Sequence, residues 1–197
     1  MRSDIAGNLH EQINTALNNI NILSEMARLK ADKDPEKSKE YIEQIHTKSH
    51  NMIIAMDDML WSINPHNDNM AKTTERMREY IDALQTRYGA SISMEVDKKV
   101  ESLELNMKLR HDAFLWFKEG IKNLVTVGAR TLHVFMSIEK NYLIFMTQFD
   151  TEGCDMKQLN NLLHRQDLEH KLKTMNATID IAVHKTSSTI TLEIPVS

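Results

Sequence analysis

The sequence predicts an α+β protein in which an N-terminal two-helix hairpin precedes an α/β sandwich. Only five glycines and three prolines occur among 197 residues, which favours long regular elements. Apolar residues follow a heptad spacing up to about residue 64. After Gly89, segments of alternating polarity typical of strands interrupt the helical pattern. We therefore expect two domains, at residues 1–66 and 67–197.

The first helix carries a heptad seam. Its apolar residues are spaced alternately by four and three: Leu9, Ile13, Ala16, Ile20, Leu23 and Ala27. The pattern breaks at residues 30–34. Asp34 followed by Pro35 is typical of an N-cap and the first position of a new helix.

The second helix continues the seam and ends before Asn64-Pro65, because proline cannot continue it. The predicted seam residues are Ile42, Ile45, Ser49, Met52, Met56, Met59 and Ile63. Ile53, Leu60 and Trp61 add apolar surface on sides that one partner helix could not cover. A second copy of the hairpin is the simplest cover, so we expect a homodimer built around a four-helix bundle.

The second half alternates helices and strands. Helices are predicted at residues 72–88, 106–127 and 156–173, and strands at 91–96, 131–138, 142–149, 178–183 and 189–196. This order predicts a mixed sheet with helices on one face.

Charge and cysteine content narrow the functional classes. The net charge is −4, from 24 basic and 28 acidic residues, and gives no electrostatic reason to expect nucleic-acid binding. A single cysteine, Cys154, excludes an internal disulfide and favours a reducing, cytoplasmic location. No apolar run is long enough to span a membrane, and the amphipathic spacing already begins at Ile5. We therefore expect a fragment of a longer protein, with any membrane anchor upstream.

Several local strings resemble one family. These are Asn8-Leu9-His10-Glu11 and the stretches at residues 21–26, 56–65 and 117–123. Together with the order of elements, they resemble bacterial two-component sensor histidine kinases of the branch with a nitrate-sensor or thermosensor type of helical hairpin. The resemblance covers nearly the whole chain and implies a phosphotransfer hairpin followed by a histidine-kinase ATPase-like sandwich.

The resemblance identifies His10 as the phosphoacceptor. It follows seam residue Leu9, so its imidazole is expected beside the packed stripe and in contact with solvent. A neutral imidazole nitrogen is a competent nucleophile toward a γ-phosphoryl group, and Glu11 is placed to orient it. On spacing alone, an ordinary surface histidine is the simpler interpretation. Asn14 and Thr15 match the positions that orient water in the family's phosphatase reaction, where glutamine is usual.

The resemblance also implies a nucleotide site. Glu119 and Asn123 match the acidic and amide positions of the family's N box, and Asn123 would ligate the Mg²⁺ that bridges the ATP phosphates. The family's Asp-x-Gly-x-Gly turn aligns with residues 149–153, where Asp150 and Gly153 remain as candidate nucleotide contacts. Its first aspartate aligns with Phe149, unless the register shifts by one residue and Asp150 takes that place. The glycine-rich lid has no counterpart, because residues 156–175 contain no glycine.

Three hypotheses follow. The family implies a transmitter region that binds ATP and Mg²⁺, autophosphorylates on His10 and passes the phosphoryl group to a response-regulator aspartate. The altered nucleotide segments favour a pseudokinase that does not bind ATP and acts as a dimeric interaction module. In the third, a partner kinase phosphorylates His10 in trans.

Overall fold

The computed structural model describes the backbone of residues 2–184 and 186–196, and the side chains of residues 13–166, 168–184 and 186–196. The chain divides into two compact units, Met1–Asn67 and Asp68–Ser197. Among the helices described, none has both the length and the apolar character needed to cross a bilayer.

The N-terminal unit is the helical hairpin that the heptad spacing predicts. Helix α1 spans Arg2–Lys30 and α2 spans Pro35–Ile63. The Asp34 carboxylate caps α2 by accepting a hydrogen bond from the Lys37 amide at 3.1 Å. Helix α2 ends directly before Asn64-Pro65, and a 3₁₀ turn follows at Pro65–Asn67.

The seam between these helices differs from the predicted one near the connecting turn. Ala27 and Ser38 are both buried, and the Ser38 hydroxyl donates to the Ala27 carbonyl oxygen at 2.9 Å. Counted from Ser38, the spacing of three and four brings Tyr41 and Ile45 to the seam. The placement of Ile42 on the seam is wrong, because this contact leaves its side chain 54% exposed.

The C-terminal unit follows the predicted order of elements, except that the short helix at Lys98–Glu101 was not predicted and the last predicted helix is divided into two. Its helices are α3 at Met70–Tyr88, α4 at Lys98–Glu101, α5 at Met107–Thr126, α6 at Met156–Leu163 and α7 at Gln166–Met175. Its strands are β1 at Ser91–Val96, β2 at Thr131–Glu139, β3 at Tyr142–Asp150, β4 at Thr178–Val183 and β5 at Ser187–Pro195.

The single helix predicted over residues 156–173 is wrong, because the chain breaks between α6 and α7. His164 ends α6, and Arg165 has extended backbone angles (φ −65°, ψ 141°) before α7 begins. The break lets each helix bury its own apolar residues: Leu159 and Leu163 in α6, and Leu168 and Met175 in α7. The hydrophobic pattern alone did not reveal this change of direction.

The described strands form a mixed five-stranded sheet in the order β1-β2-β3-β5-β4. Strand β1 runs parallel to β2, and the other neighbours are antiparallel. Strands β2 and β3 are joined by Lys140 and Asn141, which both have positive φ (46° and 67°), as a tight hairpin turn requires.

One face of this sheet contributes its side chains to the hydrophobic core of the C-terminal unit. Leu132, Phe145 and Leu192 point inward and are at most 2% exposed, in one cluster with Phe114 and Leu124 of α5. Residues on the opposite face are half-buried or exposed. The helices therefore cover one face only, as predicted, and α5, which carries Glu119 and Asn123, belongs to this helical layer.

Candidate functional site

The phosphoacceptor segment lies on α1. His10 and Glu11 fall outside the residues whose side chains the structure describes, so their roles stay predictions. Asn14 and Thr15 lie about one helical turn further on, and both are exposed. Their polar groups are therefore accessible to a partner or to water, as the predicted phosphatase role requires.

The N-box candidates lie on the C-terminal half of α5. Glu119 is partly exposed, and its carboxylate is 4.0 Å from the Lys122 ammonium group. Asn123 is only 5% exposed. Its Nδ2 has no hydrogen-bond partner, and no other buried side-chain nitrogen or oxygen in the described part of the chain shares this property. An unpaired buried amide costs about 1–3 kcal/mol, which marks this position as energetically unusual.

Asp150 ends β3 and has a clear structural partner. Its Oδ1 accepts hydrogen bonds from the backbone amides of Arg130 and Thr131, each at 2.9 Å. These bonds tie the start of β2 to the end of β3. This carboxylate oxygen is therefore engaged in hydrogen bonds with the protein backbone.

The neighbouring positions are closely packed. Phe149, which replaces the family's aspartate, is 1% exposed and belongs to the core. Gly128 has a φ of +116°, and a Cβ added there would lie 2.6 Å from the Gly153 carbonyl oxygen. Gly153 also has a positive φ, of +79°. The missing side chain of Gly128 allows the close approach of two backbone segments, whereas a Cβ added at Gly153 would meet nothing within 4 Å, so only the positive φ favours glycine there.

The space between α5, the sheet and α6 is nearly filled. The cavity there measures about 10 Å³ and is lined mainly by apolar groups: Trp116, Phe117, Gly120, Ile121, Phe145, Thr147, Leu163 and Ile190. That volume is about what one water molecule needs. Larger depressions, of about 630 and 430 Å³, lie along α3 and where α7 meets β4, and they involve none of the nucleotide candidates.

Residues matched to the family's nucleotide site are engaged within the protein's own structure. Phe149, which stands where the resemblance expects the adenine-binding aspartate, is buried, and Oδ1 of Asp150 accepts two backbone hydrogen bonds. Asn123 is 5% exposed. The cavity between α5 and α6 has none of these residues in its lining. We derive no chemical step through a nucleotide held in this unit.

Cys154 lies beside these residues without an evident chemical role. Its thiol donates to the Asp150 carbonyl oxygen at 3.1 Å. Burial raises the pKa of the thiol, and the negative charge of Asp150 adds to the effect. The reactive thiolate is therefore disfavoured at neutral pH.

Trp116 and Gly128 are the residues that sequence reasoning missed. Trp116 is 5% exposed and lines the small cavity. Gly120, one turn later, has the Trp116 ring 3.6 Å from the position of an added Cβ. A glycine one turn after a tryptophan was the available signal, because it leaves room for the ring.

Comparisons with known proteins identify the fold. No family model and no curated protein sequence matches the chain. Solved structures do match, and three of them with a TM-score of at least 0.50 are histidine kinases. The chain therefore has a histidine-kinase-type fold, as its motifs predicted.

Three of these solved structures illustrate the likeness. Acinetobacter baumannii histidine kinase AdeS is 14% identical with a TM-score of 0.52, over 91% of this chain and 95% of that one. The Erythrobacter litoralis EL346 blue-light activated histidine kinase is 13% identical with a TM-score of 0.51, over 81% of this chain. This chain covers only 63% of that protein. The histidine kinase domain of EL346 is 12% identical with a TM-score of 0.50, over 98% of this chain and 94% of that domain.

Proposed function

We propose that this chain is a dimeric signalling module of the histidine-kinase type that accepts a phosphoryl group on His10 from a partner kinase. In this proposal its own C-terminal unit does not bind ATP. The observation that carries the proposal is the state of the residues matched to the nucleotide turn, where Phe149 is 1% exposed and Oδ1 of Asp150 accepts two backbone hydrogen bonds.

Packing at the position matched to the adenine-binding aspartate supports the pseudokinase hypothesis. Phe149 is 1% exposed and belongs to the hydrophobic core. Opening a nucleotide pocket at this position would expose its side chain to water, at a cost of about 1.5–3 kcal/mol if fully exposed. Burial of Phe149 therefore opposes nucleotide binding through the hydrophobic effect, in addition to the altered polar contacts.

Exposed apolar residues on the hairpin support the dimer. Leu17 of α1 is 43% exposed, and Ile42, Ile53 and Leu60 of α2 are 54%, 63% and 57% exposed. With about 100° of rotation per residue, all four lie on the same side of the antiparallel pair. A second hairpin packed on this side would remove them from water and complete a four-helix bundle.

The proposed chemistry uses the N-terminal unit alone. A ring nitrogen of His10 attacks the γ-phosphorus of ATP held by a partner kinase. The N–P bond forms as the bond to the leaving ADP oxygen breaks, and the imidazole loses its proton. Glu11 orients the ring. A response-regulator aspartate then takes the phosphoryl group, and exposed Asn14 or Thr15 orients water if the chain also promotes dephosphorylation.

Thermal unfolding with and without Mg-ATP tests the ATP part of the proposal. A protein that binds ATP gains about 2.7 kcal/mol when the ligand is at about 100 times its Kd. We expect no change in Tm at about 5 mM Mg-ATP, while an active histidine kinase measured in parallel shows a clear rise. A rise in Tm that disappears in Asn123→Ala would contradict the proposal.

Phosphorylation in trans tests the role of His10. Incubated with an active histidine kinase and labelled ATP, the chain should acquire acid-labile phosphate. His10→Gln should abolish that label while its circular dichroism spectrum stays unchanged, and His46→Gln is a matched control on an exposed helix position that should keep it. Label that persists in His10→Gln would exclude His10 as the acceptor.

Autophosphorylation from Mg-ATP is the second candidate function. It is favoured by the retention of Glu119 and Asn123. It is also favoured by the unpaired Nδ2 of Asn123, which is free to donate a hydrogen bond to a nucleotide. Labelling of the isolated chain by ATP, lost in both Asn123→Ala and His10→Gln, would establish it.

A further inference from the structure

The sheet face that the helices leave uncovered carries charge of one sign. Exposed carboxylates occupy outward positions on four of the strands: Glu95, Glu139, Asp180 and Glu193. No lysine or arginine occupies an outward strand position in the described part of the sheet. Arg130 and Lys140 are near in sequence, but they lie beyond the two ends of β2. The face is therefore strongly acidic.

An apolar centre lies among these carboxylates. Phe135 of β2 and Met146 of β3 are cross-strand partners, and Ile144 lies two residues from Met146 on the same strand. Phe135 and Ile144 are half-buried, and Met146 is 38% exposed. Cross-strand partners have Cβ atoms about 4.5–5.5 Å apart, so the three side chains form one continuous patch.

Strand register places the carboxylates around this patch. Glu95 pairs with Phe135, and Glu193 pairs with Ile144. Asp180 lies in the same row as Met146, with Thr191 between them. Glu139 lies two residues beyond Ser137, the partner of Ile144. We call these four carboxylates and the three apolar residues the acidic sheet face.

We propose that the acidic sheet face binds a basic amphipathic helix of a partner protein. An apolar stripe of that helix would contact Phe135, Ile144 and Met146, and flanking lysines or arginines would pair with the four carboxylates. Five strands about 4.8 Å apart give a surface roughly 20 Å wide, enough for a helix about 10 Å in diameter. Ion pairs at the rim would select a positively charged partner, and apolar contacts at the centre would add affinity.

The negative charge of the acidic sheet face favours a basic helix over a second copy of the chain, a nucleic acid or an anionic lipid surface. A second copy of the same face would bring carboxylates against carboxylates, which is repulsive. Nucleic acids and anionic lipid surfaces are repelled for the same reason. The proposal does not depend on whether the C-terminal unit binds ATP, because none of the seven residues is among those matched to the nucleotide site.

Peptide binding to the full chain tests the proposal. The probe is a fluorescein-labelled helical peptide of leucine and lysine, about five turns long, with its leucines in one stripe. A twin peptide has glutamate in place of lysine. Fluorescence anisotropy should show binding of the lysine peptide, weakened by salt, and no binding of the glutamate peptide.

Paired variants locate the binding site. Glu95→Gln combined with Glu193→Gln should weaken binding about fivefold, since each partly exposed pair contributes modestly. Met146→Ser should also weaken it. Glu75→Gln combined with Glu79→Gln removes two exposed carboxylates from α3 and should leave binding within about twofold. Amide hydrogen exchange should show protection by the lysine peptide at β2 and β3.

Three outcomes would overturn the proposal. One is absence of binding by the lysine peptide at low salt. Another is an equal loss of affinity in the sheet and α3 variants, which would indicate attraction to net charge alone. The third is a change of oligomeric state in Met146→Ser, which would assign the face to contact between copies of the chain. Tm values near that of the unmodified chain show that each variant is folded.

Discussion

The role of Gly128 depends on its backbone conformation and on its lack of a side chain. Its φ of +116° is unfavourable for any residue with a side chain, and its α-carbon faces the Gly153 carbonyl oxygen. Gly128 allows the end of α5 to lie close to the turn that follows β3, where the Asp155 amide donates to the Val127 carbonyl oxygen at 2.9 Å. The sequence indicated that Gly153 was a remnant of the family's turn, but it gave no sign that Gly128 depends on it.

Gly128→Ala should therefore be strongly destabilising. The added Cβ would lie 2.6 Å from backbone and would occupy a strained conformation, so we expect a loss of about 2–4 kcal/mol in the free energy of unfolding, measured in urea. Gly120→Ala is the matched control. Its Cβ would meet the Trp116 ring at an ordinary 3.6 Å, and alanine is the better helix former, so the change should be neutral or stabilising by up to about 1 kcal/mol. Equal effects of the two substitutions would contradict this account.

The hairpin is the element for which sequence reasoning worked best. Its helix ends, its Asp34 cap and most of its seam follow from local chemistry and heptad spacing. The placement of Ile42 failed because Ser38 contacts Ala27 across the seam, and such a contact depends on how the two helices meet. The same contact leaves Ile42 on the side that also carries Leu17, Ile53 and Leu60.

Charged substitutions on that side should dissociate the proposed dimer. Ile53→Lys combined with Leu60→Lys would bury two cations in the interface, so sedimentation should show a monomer at concentrations where the unmodified chain is dimeric. Ile22→Lys combined with Leu29→Lys is the control, because these exposed residues lie on the opposite side of the hairpin. Dissociation by the control pair alone would place the interface on the other side.

At the scale of the whole molecule, the two units differ in how completely they bury apolar residues. The C-terminal unit closes its own core, with Met77, Val100, Leu132 and Leu143 all at 0% exposure. In the described part of the N-terminal unit, only Ala27 and Met59 are buried apolar residues, and several large ones are exposed. The C-terminal unit therefore has what an independent domain needs, whereas the N-terminal unit needs a partner surface.

This difference predicts the behaviour of the separated units. Residues 68–197 should fold alone, with a Tm that does not change with protein concentration. Residues 1–67 should unfold at a Tm that rises with concentration, because their stability comes from association. Circular dichroism melts over about a hundredfold range of concentration would measure both. A concentration-independent melt of residues 1–67 would contradict the proposed dimer.

The sequence by itself determined the element order, the caps and the fold class, because these depend on local propensity and on periodic burial within single segments. It also identified Phe149 and the missing lid glycines, since these are substitutions at single positions. Only the tertiary structure showed that Asp150 bonds the backbone at the start of β2, and that Glu95, Asp180 and Glu193 gather around Phe135 and Met146. Such contacts and the pattern of surface charge depend on residues from distant segments, and their juxtaposition exists only once the sheet is paired and the helices are packed against it.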